Sequence, residues 1–310
     1  MLIPQQAGGR RLDDALRLLI PGVGRRRAQY LIRTGSVHVD GRARPKGYRV
    51  CAGQEVSLQT QGPQVEAGDE MLLGKVRVVH ATRDYAALSK PGGLHTQVQM
   101  SSPEPGLEQV LPRLFPDCDP VLLNRLDQAT SGLLLVGLHS RAVQVYTRLQ
   151  EDGQITKTYL VLVHGRVKAH TVVRTALNTA KRRKVQALPD TDPDSLRWTA
   201  VWPLAYSPWF QTSLLQVRIH KGRRHQIRAH LALLGHPVLG DGMYGSKRTG
   251  RLFLHHWKIR FSGFEAELAP GWSGWEQQDA GKLPNTKEWA DVLDHVLRQQ
   301  ELKNTDQCPP

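Results

Sequence analysis

The 310-residue chain carries 42 Lys+Arg against 28 Asp+Glu, a formal net charge of +14, with 40% hydrophobic and 23% charged residues. Length and composition fit one large folded domain or a large and a small one, and no apolar run approaches the ~20 residues that a membrane helix needs. Cys51, Cys118 and Cys308 are too scattered for a disulfide framework or a Cys-based zinc site, and the first residues lack the apolar centre of a secretion signal, so a cytoplasmic protein is expected. The basic excess is clustered at 24–29 (GRRRAQ), 41–49 (GRARPKGYR), 181–184 (KRRK), 221–228 (KGRRHQIR) and 246–251 (SKRTGR). Separated basic clusters of this kind point to one long polyanion, bound through its phosphates and therefore in a salt-dependent way.

In chain order, RRLDDALRLLI sets Leu12, Ala15, Leu16 and Leu19 on one helical stripe that Pro21 and Gly22 stop. A second helix, GRRRAQYLIRTG, has Ala28, Leu31 and Ile32 on one face and Gly35 as its C-terminal cap. Arg25, Arg26 and Arg27 fall in its first turn, where cations oppose the helix dipole, so they serve something other than helix stability. SVHVDGRAR predicts a hairpin turning at Asp40-Gly41, and YRVCAGQEVSLQ two more short strands. Residues 59–74 read as a polar, Gly-containing linker. From Lys75 the pattern is β-rich: KVRVVHAT, YAALSKPGG, GLLLVG, KTYLVLVHGRV, and TSLLQVRIH with Leu215, Val217 and Ile219 alternating. SRAVQVYTRLQED and HQIRAHLALLG read as intervening helices. No strand–helix alternation with a glycine-rich first turn occurs, so the fold class expected is α+β with a large mixed, mostly antiparallel sheet. Residues 277–310 read as a loosely held tail with one short helix.

The stretch NRLDQATSGLLLVG, 124–137, places Arg125 and Asp127 at the mouth of an apolar strand. A carboxylate beside a core stays ionised only if a cation or several donors hold it. On an extended strand Arg125 would share Asp127's face, giving a local salt bridge. The alternative partner is Arg228, in the first turn of the helix that follows GRR at 222–224. His220, His225, His230 and His236 stand five or six residues apart with no acid between them, which does not match a helical metal site; no metal is expected. His225 and Gln226 are expected to hold the loop around Arg228, and Asp241 and Tyr244 in GDGMYG to support a turn. KRRK at 181–184 has no role derivable from its pattern.

Two resemblances add to this reading. RLDDAL, RRRAQYLIRTGSVHVDGR and GQEVSL, over about residues 10–58, resemble the αL-type RNA-binding domain shared by a ribosomal protein, tyrosyl-tRNA synthetases and RNA-modifying enzymes. This implies that Arg25, Arg26, Arg27 and Arg33 lie near phosphates. RLDQATSGLLLVG, LSKPGGLHT at 88–96, KTYLVLVHG at 157–165, GRRHQIRAHLALLGHPVLGDGMYG at 222–245 and the late strand RLFLHHWKIRF, which closes the sheet, together resemble the RluA-type pseudouridine synthases. The resulting division is 1–58 RNA-binding, 59–74 linker, 75–276 catalytic and 277–310 tail. The resemblance implies isomerisation of uridine to pseudouridine in RNA without a cofactor. In it Asp127 is the reacting carboxylate, either as nucleophile or as base toward a ribose proton, and Arg228 is its partner. Tyr159 packs on the uracil and helps remove the carbon-5 proton, while Arg125 fills the stack vacated by a flipped base. Lys90, Arg223 and Arg224 meet phosphates or line the cleft. Asn124 and Arg224 depart from the family's His and Thr. The partner expected is large-subunit ribosomal RNA, with tRNA as the alternative, and the expected state is a monomer without membrane contact. The rival readings are a catalytically idle RNA-binding protein and a base glycosylase, which would release free uracil.

Overall fold

The computed structural model describes residues 1–20, 23–33, 35–58, 71–97, 106–180, 184–246, 250–273, 275 and 286–305, with backbone alone for 26, 27, 30, 33, 286, 287 and 300–305. Near the N-terminus, the helix Leu12–Leu19 buries Leu12, Ala15 and Leu16 against Ala28 and Ile32 of the helix Arg25–Arg33. A three-stranded sheet closes this small core with Val37, Val39 and Val56. Its strands are β1 (Val37–Val39), β2 (Arg42–Ala43) and β3 (Val56–Leu58), in the order β2-β1-β3. Asp40 and Gly41 turn the β1–β2 hairpin with φ of 49° and 73°, the left-handed pair that a two-residue hairpin requires. Only one of the two strands expected in YRVCAGQEVSLQ forms. Residues 48–50 pair instead with the entry to the first helix, Tyr48 O accepting from Leu12 N at 2.7 Å and Val50 O from Gly9 N at 2.7 Å. Arg25 is exposed; the side chains of Arg26, Arg27 and Arg33 and the expected linker 59–70 lie outside the described residues.

The large sheet runs β4 (Arg77–Ala81), β5 (Tyr85–Lys90), β7 (Ser131–Gly137), β14 (Leu254–Phe261), β8 (Thr156–His164), β13 (Thr212–Ile219), β12 (Thr199–Ser207) and β9 (Thr171–Val173). At its margins β15 (Phe264–Glu267) pairs with β14 and β6 (Val121–Leu122) with β7, while β10 (Thr175–Asn178) and β11 (Gln186–Thr191) form a separate antiparallel pair. Among the described strands only β7 and β14 pair in parallel, so the sheet is mixed and mostly antiparallel. β14, expected to close the sheet, lies at its centre between β7 and β8. That place follows from its residues, since Leu254, His255, His256, Trp257 and Ile259 are buried and a strand covered on both faces belongs inside a sheet.

Side-chain alternation divides the two faces. Tyr159, Val161, Leu215, Val217 and Ile219 meet Ile227 and Leu231 of the helix Gln226–Leu233 on one face. Leu133 and Leu135 meet Ala142 and Tyr146 of the helix Ser140–Glu151 on the other. The second face also corrects the reading of the C-terminal segment as loosely held. In the helix Thr286–Thr305, Trp289, Val292, Leu293, Val296 and Leu297 are buried with Trp272 and Trp275 against Leu160, Leu162 and Leu214. That spacing is one apolar stripe, and each buried side chain stabilises by about 1.5–3 kcal/mol. No described helix is long and apolar enough to cross a membrane.

Gly132 shows how tightly β7 is seated. It adopts φ +120° beside β14, and a Cβ there would collide with the backbone of His256. Gly132→Ala is expected to lower stability by about 2–4 kcal/mol through strain and steric displacement, read by chemical denaturation. An unchanged midpoint would show that the approach tolerates a methyl group.

Candidate active site

Residues 123–130 form a loop between β6 and β7, so Arg125 and Asp127 do not share a strand face. Asn124 sets the loop's direction: its Oδ1 accepts from Leu135 N at 2.7 Å and its Nδ2 donates to Leu133 O at 3.3 Å. Thr96 Oγ1 donates to Leu126 O at 2.8 Å and accepts from Leu126 N at 3.2 Å. Between these ties the chain points Arg125 outward, where it donates to Gln97 Oε1 at 3.2 Å, and Asp127 inward. No Arg125–Asp127 ion pair forms, which removes the local salt bridge from consideration.

Lys90 corrects an expectation. It does not meet phosphate: it is 1% exposed, and its Nζ donates to Pro91 O, Gln128 O and Thr130 O at 3.0, 3.0 and 2.7 Å. Burial, opposed by Asp127, pushes its ammonium down to about 7. A buried ammonium ringed by carbonyls organises the turn after Asp127, and the charge is compensated within the protein.

Asp127 Oδ2 accepts from Arg228 Nη1 at 3.0 Å and lies 3.9 Å from His225 Nε2. Arg228 is committed more strongly elsewhere. Its Nε and Nη2 donate to the two carboxylate oxygens of Asp241 at 2.6 and 2.8 Å. This bidentate fork fixes both the plane and the direction of the guanidinium. Burial opposes the charge of Arg228, but Asp241 and then Asp127 outweigh it and raise its pKa. Asp241 is therefore more than the turn support expected of it, although it also accepts from Met243 N at 3.1 Å. Tyr244 packs its ring 5.3 Å from the Arg228 guanidinium, and its hydroxyl lies 3.2 Å from His225 Nδ1. His225 stands at φ 55°, a left-handed conformation uncommon outside glycine. Burial, opposed by Asp127, lowers its pKa, so the ring is neutral near pH 7. Gln226 secures this turn by accepting from Arg223 N and donating to Arg197 O and Thr199 Oγ1.

A cleft of about 310 Å³ opens over this group, lined by Asn124, Arg125, Asp127, Tyr159, Arg228 and Leu254 among others. It lies at the small end of the ~300–1,000 Å³ range of ligand pockets. Tyr159 forms part of its wall, 6% exposed and stacked on His256 with centroids 4.6 Å apart and planes 20° from parallel. Burial and then Asp127 push the Tyr159 phenol up, so it carries its proton at neutral pH. Burial lowers His256 to about 3, and its Nδ1–H donates to Leu133 O at 2.6 Å. Arg224 lines the rim. Arg223 lines it too, but it is tied to the protein, with Nη1 donating to Leu177 O at 3.0 Å and Nη2 3.9 Å from Asp192.

Among the described residues no group of three or more His, Cys, Asp or Glu is arranged to hold a metal ion. His220, His230 and His236 each bond a backbone carbonyl: Ile155 O, Thr175 O and His164 O. Of KRRK only Lys184 is described, its Nζ 5.1 Å from the Tyr244 ring. Sequence reasoning missed the Asp241–Arg228 fork and the His256 support of Tyr159. One signal was available for the first, because Asp241 is the only acid between Asp194 and Glu265.

A mixed sheet bearing a carboxylate, a locked arginine and a stacked tyrosine in a narrow cleft within a basic protein is the arrangement that the sequence resemblance to pseudouridine synthases led us to expect. Residues 84–233 match the RNA pseudouridylate synthase family. An uncharacterized RNA pseudouridine synthase of Aquifex aeolicus is 30% identical over 264 residues, covering 77% of this chain and 78% of that protein. The ribosomal large subunit pseudouridine synthase C of Vibrio vulnificus is 28% identical over 84% of this chain and 87% of its own length. The solved structure of human RNA pseudouridylate synthase domain containing 1 shares the fold, with a TM-score of 0.55 and 22% identity over 77% of this chain and 97% of that one. The chain belongs to the RNA pseudouridylate synthase family.

Proposed function

We propose that this enzyme isomerises uridines of large-subunit ribosomal RNA and that Asp127 is its reacting carboxylate. The observation that carries the proposal is the fixed placement of Asp127 Oδ2, 3.0 Å from an Arg228 that Asp241 holds in a bidentate fork. The reaction breaks the bond from ribose C1′ to uracil N1, turns the base and joins C5 to C1′. The C5 proton leaves and N1 regains a proton, so the product is an isomer of the substrate. The carboxylate serves at C1′, either as nucleophile or as base toward a ribose proton. Arg228 supplies compensating charge as the negative charge on Asp127 redistributes.

Tyr159 is the surface on which uracil packs. Its phenol carries its proton in the free enzyme, and help in removing the C5 proton is part of the role proposed for it. The narrow cleft admits an extruded nucleotide and excludes a stacked pair, and it keeps the freed base in place between the two bonding events. Arg125, exposed at the mouth and bonded only to Gln97 among the described contacts, is placed to occupy the vacated stack. The name of the Vibrio vulnificus relative favours ribosomal RNA; tRNA is the alternative. The basic N-terminal unit is proposed as an RNA-binding module, and Arg25 and Arg224 as phosphate contacts.

The test uses RNA labelled with tritium at uracil C5, prepared from a strain lacking the gene. The enzyme is expected to release tritium to water while the base stays in the RNA, and the same RNA mapped for pseudouridine identifies the site. Free uracil would reassign the protein as a glycosylase, and silence on ribosomal and transfer RNA alike would make it an idle binder.

A further inference from the structure

Lys157 lies on β8 two residues before Tyr159, so the pleat turns both side chains to the same face. It lines the cleft together with Asp127 and Tyr159 and is 4% exposed. Among the described residues its ammonium has no hydrogen-bond or ion-pair partner. The contrast with Lys90 is direct: that equally buried ammonium meets three carbonyls. Burial alone lowers the pKa of Lys157, to about 8, with no neighbouring carboxylate acting on it. Asp127 acts electrostatically on Lys90, Tyr159, His225 and Arg228, whereas Lys157 feels no such pull. Its charge reaches His256, the ring stacked under Tyr159, and its residue stands opposite Ile219 of β13, another residue that lines the cleft. An uncompensated buried cation works against folding, and its retention in a cleft is explained by a ligand that completes it.

We infer that Lys157 is a positioning residue that pairs with a non-bridging phosphate oxygen of the RNA strand beside the target uridine; the inference rests on the reading of the protein as an RNA pseudouridine synthase. Phosphate is favoured over the base because uracil is neutral and would leave the cation uncompensated. A compact ammonium also suits a single phosphate oxygen as a point charge. The contact holds the extruded nucleotide by its backbone while Asp127 acts at C1′ and the base turns.

The test compares the full-length parent with Lys157→Met and Lys157→Gln in binding a short oligouridylate across a salt series. Both variants are expected to bind about tenfold more weakly, and the slope of log K against log salt to flatten by roughly 0.7, the value for one phosphate contact on a single strand. Their melting temperatures should stay at or above the parent's, because an uncompensated charge has gone. On tritium-labelled RNA KM should rise about tenfold with kcat changed less than about twofold. Unchanged affinity overturns the assignment. So does weaker binding with an unchanged salt slope, since the ammonium then meets an uncharged group. A lower melting temperature in both variants makes Lys157 a residue of the fold and also overturns it. A parent that binds oligouridylate yet releases no tritium fails as a synthase, and the salt-slope result still decides the Lys157 contact.

Discussion

Asp127→Asn is expected to reduce tritium release from C5-labelled RNA by on the order of 10⁴-fold or more, at least the scale on which loss of a catalytic-triad carboxylate acts, while the protein stays folded. The two halves of this expectation have separate causes. The loss of rate follows because Asn has nearly the same shape as Asp but lacks the charge and electron pair that act at C1′. The fold survives because Asp127 is a guest of the arginine and not its main support. Its side chain is 21% exposed, and it accepts a single bond from Arg228, while Asp241 keeps two. With Asp241 in place the guanidinium stays compensated, so the stability change should be within about 1 kcal/mol. Release kept above about a hundredth of the parent rate would remove Asp127 from the chemistry. A large drop in melting temperature would instead show that the ion pair with Asp127 is structural.

Much of the sheet was legible because burial on a strand writes a period of two into the residues, as at Leu215, Val217 and Ile219. The C-terminal helix carried an equally regular stripe, Trp289 to Leu297, but its polar surroundings hid the surface it covers, since the acceptor residues Leu160, Leu162 and Leu214 belong to strands far away in sequence. Lys90 was misread for a related reason. A lysine before Pro-Gly-Gly reads as a surface cation, and the carbonyls that enclose it come partly from residues 38 and 40 positions away. At the site, the pairing of Asp127 with Arg228 joins residues 101 positions apart, and only the choice of the helix after GRRHQ made it accessible. Arg125 and Asp127 share a face only on an extended strand. Asn124, by bonding the β7 backbone with both ends of its amide, holds them in a loop.

Arg228→Met separates the two carboxylates' roles in the opposite direction and is expected to abolish turnover and weaken the fold together. Asp241 is 2% exposed, and with Arg228 removed its carboxylate keeps only the Met243 N–H as a donor among the described residues. Breaking one partner of a buried pair costs about 3–5 kcal/mol because a charge is left uncompensated, which for a chain of this size lowers the melting temperature by roughly ten degrees. Replacing the pair removes that penalty: Arg228→Met combined with Asp241→Leu puts apolar groups where both charges stood, and should recover more than about half of the lost stability. Activity should not return, because Asp127 still lacks the cation that fixes its position. Arg228→Lys tests geometry at constant charge. A lysine cannot reproduce two parallel N–H bonds to Asp241 and a third to Asp127, so it should retain part of the stability and little of the rate. If the double variant were as unstable as Arg228→Met alone, Asp241 would not be the charge that Arg228 compensates. If Arg228→Met turned over RNA at a rate near the parent's, the arginine would serve the fold and Asp127 would act without it.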